Sequence, residues 1–216
     1  MRTPSRPNPY PAFTLLELLI VIGIMAILGV LLAPVTSGLM RAHGLTTASQ
    51  SVIGQLNLAR QVSTTRGAAV QVRFYRLPDY NEPELSGSPS VYRALQIFVE
   101  GDPVVSGGST STPVKPLSNP LLFNAPVVIL KDTDKSTLLT LPETIPTSGQ
   151  NFSTYGTNYR YLIFRFRADG QADLPDTATG LTLVLEKDIP ASGSLPANFC
   201  AIEIDPRTGA SRSYRP

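Results

Sequence analysis

Apolar residues run almost without a break from Phe13 to Pro34. A helix that crosses a bilayer needs about 20 such residues, so 13–34 predicts a transmembrane helix. One charge interrupts the run, Glu17, close to its start. A carboxylate in hydrocarbon costs roughly 2.5–3.5 kcal/mol even on lenient insertion scales. Glu17 is therefore either a defect or a residue with a task. Past Pro34 the apolar positions take helical spacing: Val35, Leu39, Ala42, Leu45, Ala48, Val52, Leu56, Ala59 and Val62. Polar residues such as Thr47, Gln50, Asn57 and Gln61 fill the other face. That is an amphipathic helix with one stripe for a core. The two patterns together predict one helix from Phe13 to about Arg66, with Pro34, Gly38, Gly44 and Gly54 as places for a kink.

Beyond Arg66 the period changes from about four to two. Alternating segments predict strands at Ala69–Arg76, Val91–Glu100 and Tyr161–Arg167. Shorter apolar runs predict more at Val127–Lys131, Leu138–Leu141 and Leu181–Glu186. Phe199–Ile204 and Ser211–Tyr214 predict a final hairpin turned at Pro206–Gly209. Two stretches rich in turn residues, Pro78–Pro89 and Gly101–Pro120, predict loops. The sum is seven or eight short antiparallel strands, in one sheet or two, and no βαβ units. The predicted class is α+β: a long N-terminal helix, transmembrane in its first half and amphipathic in its second, packed on an antiparallel sheet.

Composition narrows the function. The 20 Pro and 16 Gly fit short strands joined by turns better than a helical bundle. The net charge of +2 comes entirely from Arg2 and Arg6. A neutral body gives no electrostatic case for nucleic acid. The one cysteine, Cys200, excludes an intrachain disulfide and sits in an apolar run as a core residue would.

The first twelve residues carry two arginines and prolines at 4, 7, 9 and 11, which forbid a helix there. Two cations ahead of an apolar run place that end in the cytoplasm. A secretory signal peptide begins the same way, but this apolar run is long for one and opens with a carboxylate.

The sequence Ala12-Phe13-Thr14-Leu15-Leu16-Glu17 resembles the processing motif of type IV prepilins and type II secretion pseudopilins. In that family a small residue, usually glycine, precedes a phenylalanine, with a glutamate four residues further on. The resemblance implies that a prepilin peptidase cuts between Ala12 and Phe13 and methylates the new amino terminus. The departure is Ala12 in place of glycine. The resemblance implies four segments: a leader at 1–12, a transmembrane and assembly helix at 13–34, its amphipathic continuation at 35–66 and a β domain at 67–216. It further implies a pilin-like fold and a single-pass protein of the bacterial inner membrane, with a cytoplasmic N-terminus and a periplasmic body. Its partners would be the peptidase, other pilins or pseudopilins and the inner-membrane assembly platform, in a homo- or hetero-oligomeric filament.

Residues Leu56–Gln61, Phe164–Gly170 and Ala201–Gly209 are similar to segments of H-type minor pseudopilins. The combination of Ala12–Glu17, Leu56–Gln61, Val72–Tyr75, Tyr92–Gln96 and Ile204–Pro216 also resembles pilin-like proteins encoded in multi-gene cassettes of Verrucomicrobia. Cleavage would give Phe13 an α-amine. A neighbour shifted by about one helical turn could pair that amine with Glu17, offsetting the desolvation of both charges. Glu17 at headgroup depth is the plainer alternative. Small residues at Gly23, Ala26, Gly29 and Ala33 allow close helix approach.

No catalytic, cofactor or metal set is expected. His43 and Cys200 stand alone, and no phosphate-cradling loop or zinc spacing occurs. Asp132-Thr133-Asp134 and Asp169–Asp173 lack the full oxygen set of a calcium loop and read as turns. Tyr155, Tyr159, Tyr161 and Arg160 form either a binding surface or a packed cluster. The rival to a structural subunit is an exported ligand-binding or enzymatic domain on an uncut anchor.

Overall fold

The computed structural model describes residues 13–78, 91–106, 108–123, 126–146, 152, 155–189 and 194–215, with backbone alone over 30–41 and at 106, 109 and 110. The backbone is helical over Leu15–Arg66 (α1). The chain divides into two compact units, Met1–Arg41 and Ala42–Pro216, and each is described by itself.

In the second unit, helical residues 42–66 bury Leu45, Ala48, Val52, Leu56 and Ala59. Their spacing of three and four places them in one stripe. The stripe meets the inner faces of Val70–Leu77 (β1), Val91–Glu100 (β2), Arg160–Phe166 (β9), Gly180–Leu185 (β10) and Phe199–Ile204 (β11), through Val72, Phe74, Ile97, Phe164, Leu183 and Ile202 among others. Each fully buried leucine or valine stabilises the contact by about 1.5–3 kcal/mol. Two smaller clusters lie apart from this core. One gathers Tyr75, Leu77, Ala94, Phe152, Tyr155 and Tyr161, and the other Val128, Leu130 and Val184.

The remaining strands are Val104–Ser106 (β3), Ser109–Ser111 (β4), Val114–Pro116 (β5), Leu121–Leu122 (β6), Val127–Ile129 (β7), Glu143–Thr144 (β8) and Ser211–Tyr214 (β12). Ten of the twelve form one antiparallel sheet, in the order β12-β11-β10-β7-β2-β1-β9-β8, with β5 and β6 also on β2. β3 and β4 make a separate hairpin. The outer edge of β2 is covered in sequence by β7 at Tyr92, β6 at Ala94 and Leu95, and β5 at Phe98–Glu100. Three short strands thus do the work of one long neighbour.

Several expectations are corrected. The pilin-like class, a membrane helix continuing into one that packs on the sheet, does not describe this fold. Within the second unit residues 42–66 pack on the sheet, and the described helical side chains fall in two shorter stretches, 15–29 and 42–66. Among the described residues no helix is long and apolar enough to cross a membrane. The stretch 42–66 is amphipathic and already committed to a core. The single-pass inner-membrane placement falls with the span, and so does the split into cytoplasmic end and periplasmic body.

The sheet is also larger than predicted. Gly101–Pro120, read as a loop, holds β3, β4 and β5. Residues Leu138–Leu141, read as a strand, lie mostly in a 3-10 turn over Thr137–Thr140. Side chains explain that change. Ser136 Oγ accepts the Thr182 amide at 3.0 Å, Thr137 Oγ1 accepts the Gly180 amide at 2.9 Å, and Thr182 Oγ1 donates to the Lys135 carbonyl at 2.5 Å. Hydroxyls thus satisfy backbone groups that a ladder would otherwise use, while Leu138 fills the core.

Candidate functional site

The first unit presents a helix whose described side chains are all exposed. Every described residue from Phe13 to Gly29 is exposed. Leu15, Leu16, Leu18, Leu19, Ile20, Ile22, Ile24, Met25, Ile27 and Leu28 are each more than half exposed, so no side of the helix is buried. A Cβ added at Gly23 or Gly29 would meet nothing within 4 Å. Ala33 and Pro34 lie outside the residues whose side chains are described. An apolar surface of this extent marks an interaction site rather than ordinary surface scatter.

The start of this helix is built by two side chains. Thr14 stands just ahead of it, and its Oγ1 accepts the Glu17 amide at 3.2 Å. The Glu17 carboxylate reaches back, accepting the Thr14 amide at 3.5 Å and the Thr14 hydroxyl at 3.4 Å. The Thr14 carbonyl accepts the amides of Glu17 and Leu18 at 3.1 and 3.2 Å. This is a reciprocal capping box: a threonine at the N-cap and a glutamate three residues on satisfy amide groups that a helix start leaves open. Glu17 therefore has a partner within its own chain, at the end of the helix whose dipole favours a carboxylate. Thr14 was missed as a functional residue, although its signal, Thr-x-x-Glu ahead of an apolar run, stands in the sequence.

Phe13 lies outside the helix and is 77% exposed. Ala12, the other half of the expected cleavage site, lies outside the described residues.

A second polar arrangement lies on the sheet. Arg73 of β1 stacks 4.2 Å from the Phe98 ring centroid and 5.1 Å from that of Tyr161. Its Nη2 donates to Gln71 Oε1 at 2.9 Å. Gln71 Nε2 donates to Glu100 Oε1, which also accepts Arg165 Nε at 2.6 Å. These groups answer one another across three strands, so the arrangement reads as a cross-strand ladder. The expected tyrosine group is a packed cluster: Tyr75 lies 4.5 Å from Phe152, 5.6 Å from Tyr159 and 5.7 Å from Tyr161, centroid to centroid. Burial pushes the Tyr159 phenol above its ordinary range. Arg160 stays exposed beside it.

The remaining candidates are separate. His43 is exposed on the helix, while Cys200 is buried and its Sγ donates to Ser49 Oγ at 3.0 Å. Asp132 Oδ1 accepts the Asp134 amide and Asp169 Oδ1 the Gln171 amide, both at 2.9 Å, so both acidic clusters shape turns. Among the described residues no group of three or more His, Cys, Asp or Glu is placed to hold a metal ion.

No family model, curated protein or solved structure matches the chain.

Proposed function

We propose that this chain is a prepilin-type structural subunit, trimmed between Ala12 and Phe13 by a prepilin-type peptidase and assembled through its N-terminal apolar helix with the corresponding helices of other subunits. The observation that carries the reading is the helix over 15–29, which is apolar and exposed on every side. A helix of that kind is stable only when something covers it. Helices of the same character in neighbouring subunits do so without requiring one helix to bridge a bilayer. The placement of Phe13 just outside the helix suits a peptidase, since a cleavable bond is an extended one. The sheet unit then forms the outer body of the assembly, and its role is structural or recognitional.

Hydrolysis breaks the Ala12 C–Phe13 N bond. Water supplies a hydroxyl to the Ala12 carbonyl carbon and a proton to the new Phe13 amine. Co-expression of the full chain with a prepilin-type peptidase, followed by intact-mass measurement and N-terminal sequencing, tests the reading. The expected product lacks residues 1–12 and begins at Phe13. A chain that keeps Met1 through Ala12 overturns it.

A further inference from the structure

We infer that the outer edge of β12 is a docking site for an extended acidic segment of a second protein, which joins the sheet as a further strand beside Ser211–Tyr214. The surface belongs to the sheet unit and does not depend on how the N-terminal helix is used.

Two backbone hydrogen bonds fix which groups of β12 point outward. The Ile204 amide donates to the Thr179 carbonyl at 2.9 Å, on the β10 side, and the Asp205 amide donates to the Ala210 carbonyl at 2.9 Å, on the β12 side. Alternate residues of β11 therefore face alternate neighbours, and Ala201 and Glu203 face β12. Their partners in the register are Tyr214 and Arg212, whose amides and carbonyls are thus used within the hairpin. Those of Ser211 and Ser213 point away from it. Among the described residues β12 is the last strand on that side of the sheet, and Ser211 keeps a buried hydroxyl with no partner. A row of open donors and acceptors is a template for another strand.

The two edges of the sheet are not alike. β8 is two residues long, with Pro142 directly before it and Pro146 two residues after. Short strands and prolines blunt an edge. β12 is four residues long and contains no proline.

Side chains choose the partner. Ile202 and Ile204 are buried, so Arg212 and Tyr214, opposite Glu203 and Ala201, lie on the outer face, with Tyr214 50% exposed. A hollow of about 210 Å³ lined by Glu203, Asp205, Ala210, Arg212 and Tyr214 opens on the same face. Among the described residues neither Arg212 nor Arg215 is in an ion pair. Arg215 bonds instead to the neutral oxygens of Thr46 and Asn198. An incoming carboxylate opposite Arg212 completes an alternation of charge across three strands, beginning at Glu203, and an apolar residue two places along covers Tyr214. A second copy of the chain fits less well. The register that uses both serines of each copy, Ser211 opposite Ser213, sets Arg212 against Arg212, and like charges directly opposite are destabilising.

The experiment uses the full chain in detergent and two fluorescein-labelled octapeptides of alternating threonine and valine, one with a central glutamate and one with lysine in its place. Anisotropy reads binding, and amide exchange is followed at residues 211–214 in the glutamate complex. The glutamate peptide is expected to bind about tenfold more tightly than the lysine peptide. It should slow exchange at Ser211 and Ser213 and leave Arg212 and Tyr214 unchanged. R212E is expected to reverse the preference. S213P removes an outward amide and no ladder bond, so it is expected to abolish binding of both peptides at the wild-type urea midpoint.

Equal affinity for the two peptides, or protection that appears away from Ser211 and Ser213, overturns the inference. So does a folded S213P that binds as the wild type does. Sedimentation that shows the chain pairing with itself, as a dimer lost in S213P, overturns the choice of partner.

Discussion

A Cβ on Gly209 would overlap the carbonyl oxygen of Gly170 and lie 3.2 Å from both Arg60 Cδ and Phe166 Cε1. The two glycines belong to different turns, one leaving β9 and one joining β11 to β12, and both have left-handed backbone, with φ of 85° at Gly170 and 65° at Gly209. They meet over Arg60 on the helix. The turns are also joined by the Ala172 amide, which donates to the Pro206 carbonyl at 2.9 Å. The C-terminal hairpin is thereby fastened to the turn that leaves β9, near the opposite edge of the sheet, through backbone that tolerates no side chain. Gly209→Ala is expected to cost about 3 kcal/mol or more, combining left-handed strain with overlap. Gly67→Ala is the control: its φ is 61°, but a Cβ there meets nothing within 4 Å. It is expected to cost about 1 kcal/mol. Urea unfolding of the two variants reads the difference as a shift in midpoint at unchanged slope.

The helix-to-sheet core gives a second contrast, between neighbours in sequence. Leu56 is fully buried and Leu58, two residues on, is 38% exposed. Leu56→Ala removes side-chain volume from the core and is expected to cost about 2–5 kcal/mol. Leu58→Ala is expected to stay within about 0.5 kcal/mol of wild type. Equal losses at the two positions would contradict the helical face assigned here.

How far the sequence could be read follows from the range of the forces involved. The strand with clean alternation, β11, is found at the predicted residues because one of its faces is buried, and burial prints the period of two directly. The stripe Leu45–Val52–Leu56–Ala59 was equally legible, for the same reason at a different period. The errors lie where long-range partners decide. Val114–Pro116 and Leu121–Leu122 carry no pattern of their own and become strands only because β2 offers an open edge. Leu138 looked like part of a strand, yet hydroxyls of Ser136 and Thr137 take the β10 amides first. Glu17 reads as an unpaired charge in the sequence because its partner, Thr14, is local and polar.

Asp205 makes the acid side of stability testable. Its carboxylate accepts the Thr208 hydroxyl at 2.6 Å and the Arg207 amide at 3.0 Å. These contacts, the Thr208 hydroxyl foremost, hold the carboxyl below its usual range. A depressed carboxyl favours the folded state above the unfolded pKa, about 4. That contribution is lost as pH falls through the lower folded value. A carboxyl NMR titration is expected to give a lower midpoint for Asp205 in the native chain than in urea. Asp205→Asn is expected to flatten the acid limb of the stability curve. Identical native and denatured midpoints would contradict the turn geometry.

Tyr92 acts at the opposite end of the pH scale. Its phenol donates to Glu143 Oε1 at 2.6 Å, and Arg76 Nη1 donates to the same oxygen at 2.9 Å. Burial, and then the hydrogen bond to Glu143, push the phenol well above its ordinary range. The proton is held more tightly in the folded chain, so the associated stability is complete below the unfolded pKa of about 10. It declines as pH rises from there toward the higher folded value. Absorbance at the tyrosinate band is expected to show Tyr92 ionising only as the sheet unfolds, together with the buried Tyr75, which burial raises in the same direction. Tyr92→Phe should remove one late-ionising group and cost about 1 kcal/mol at neutral pH through the lost hydrogen bond. It should also make stability fall less steeply above pH 10. If instead the variant and the wild type lose stability in parallel from pH 10 upward, the Tyr92–Glu143 contact does not govern the alkaline limb.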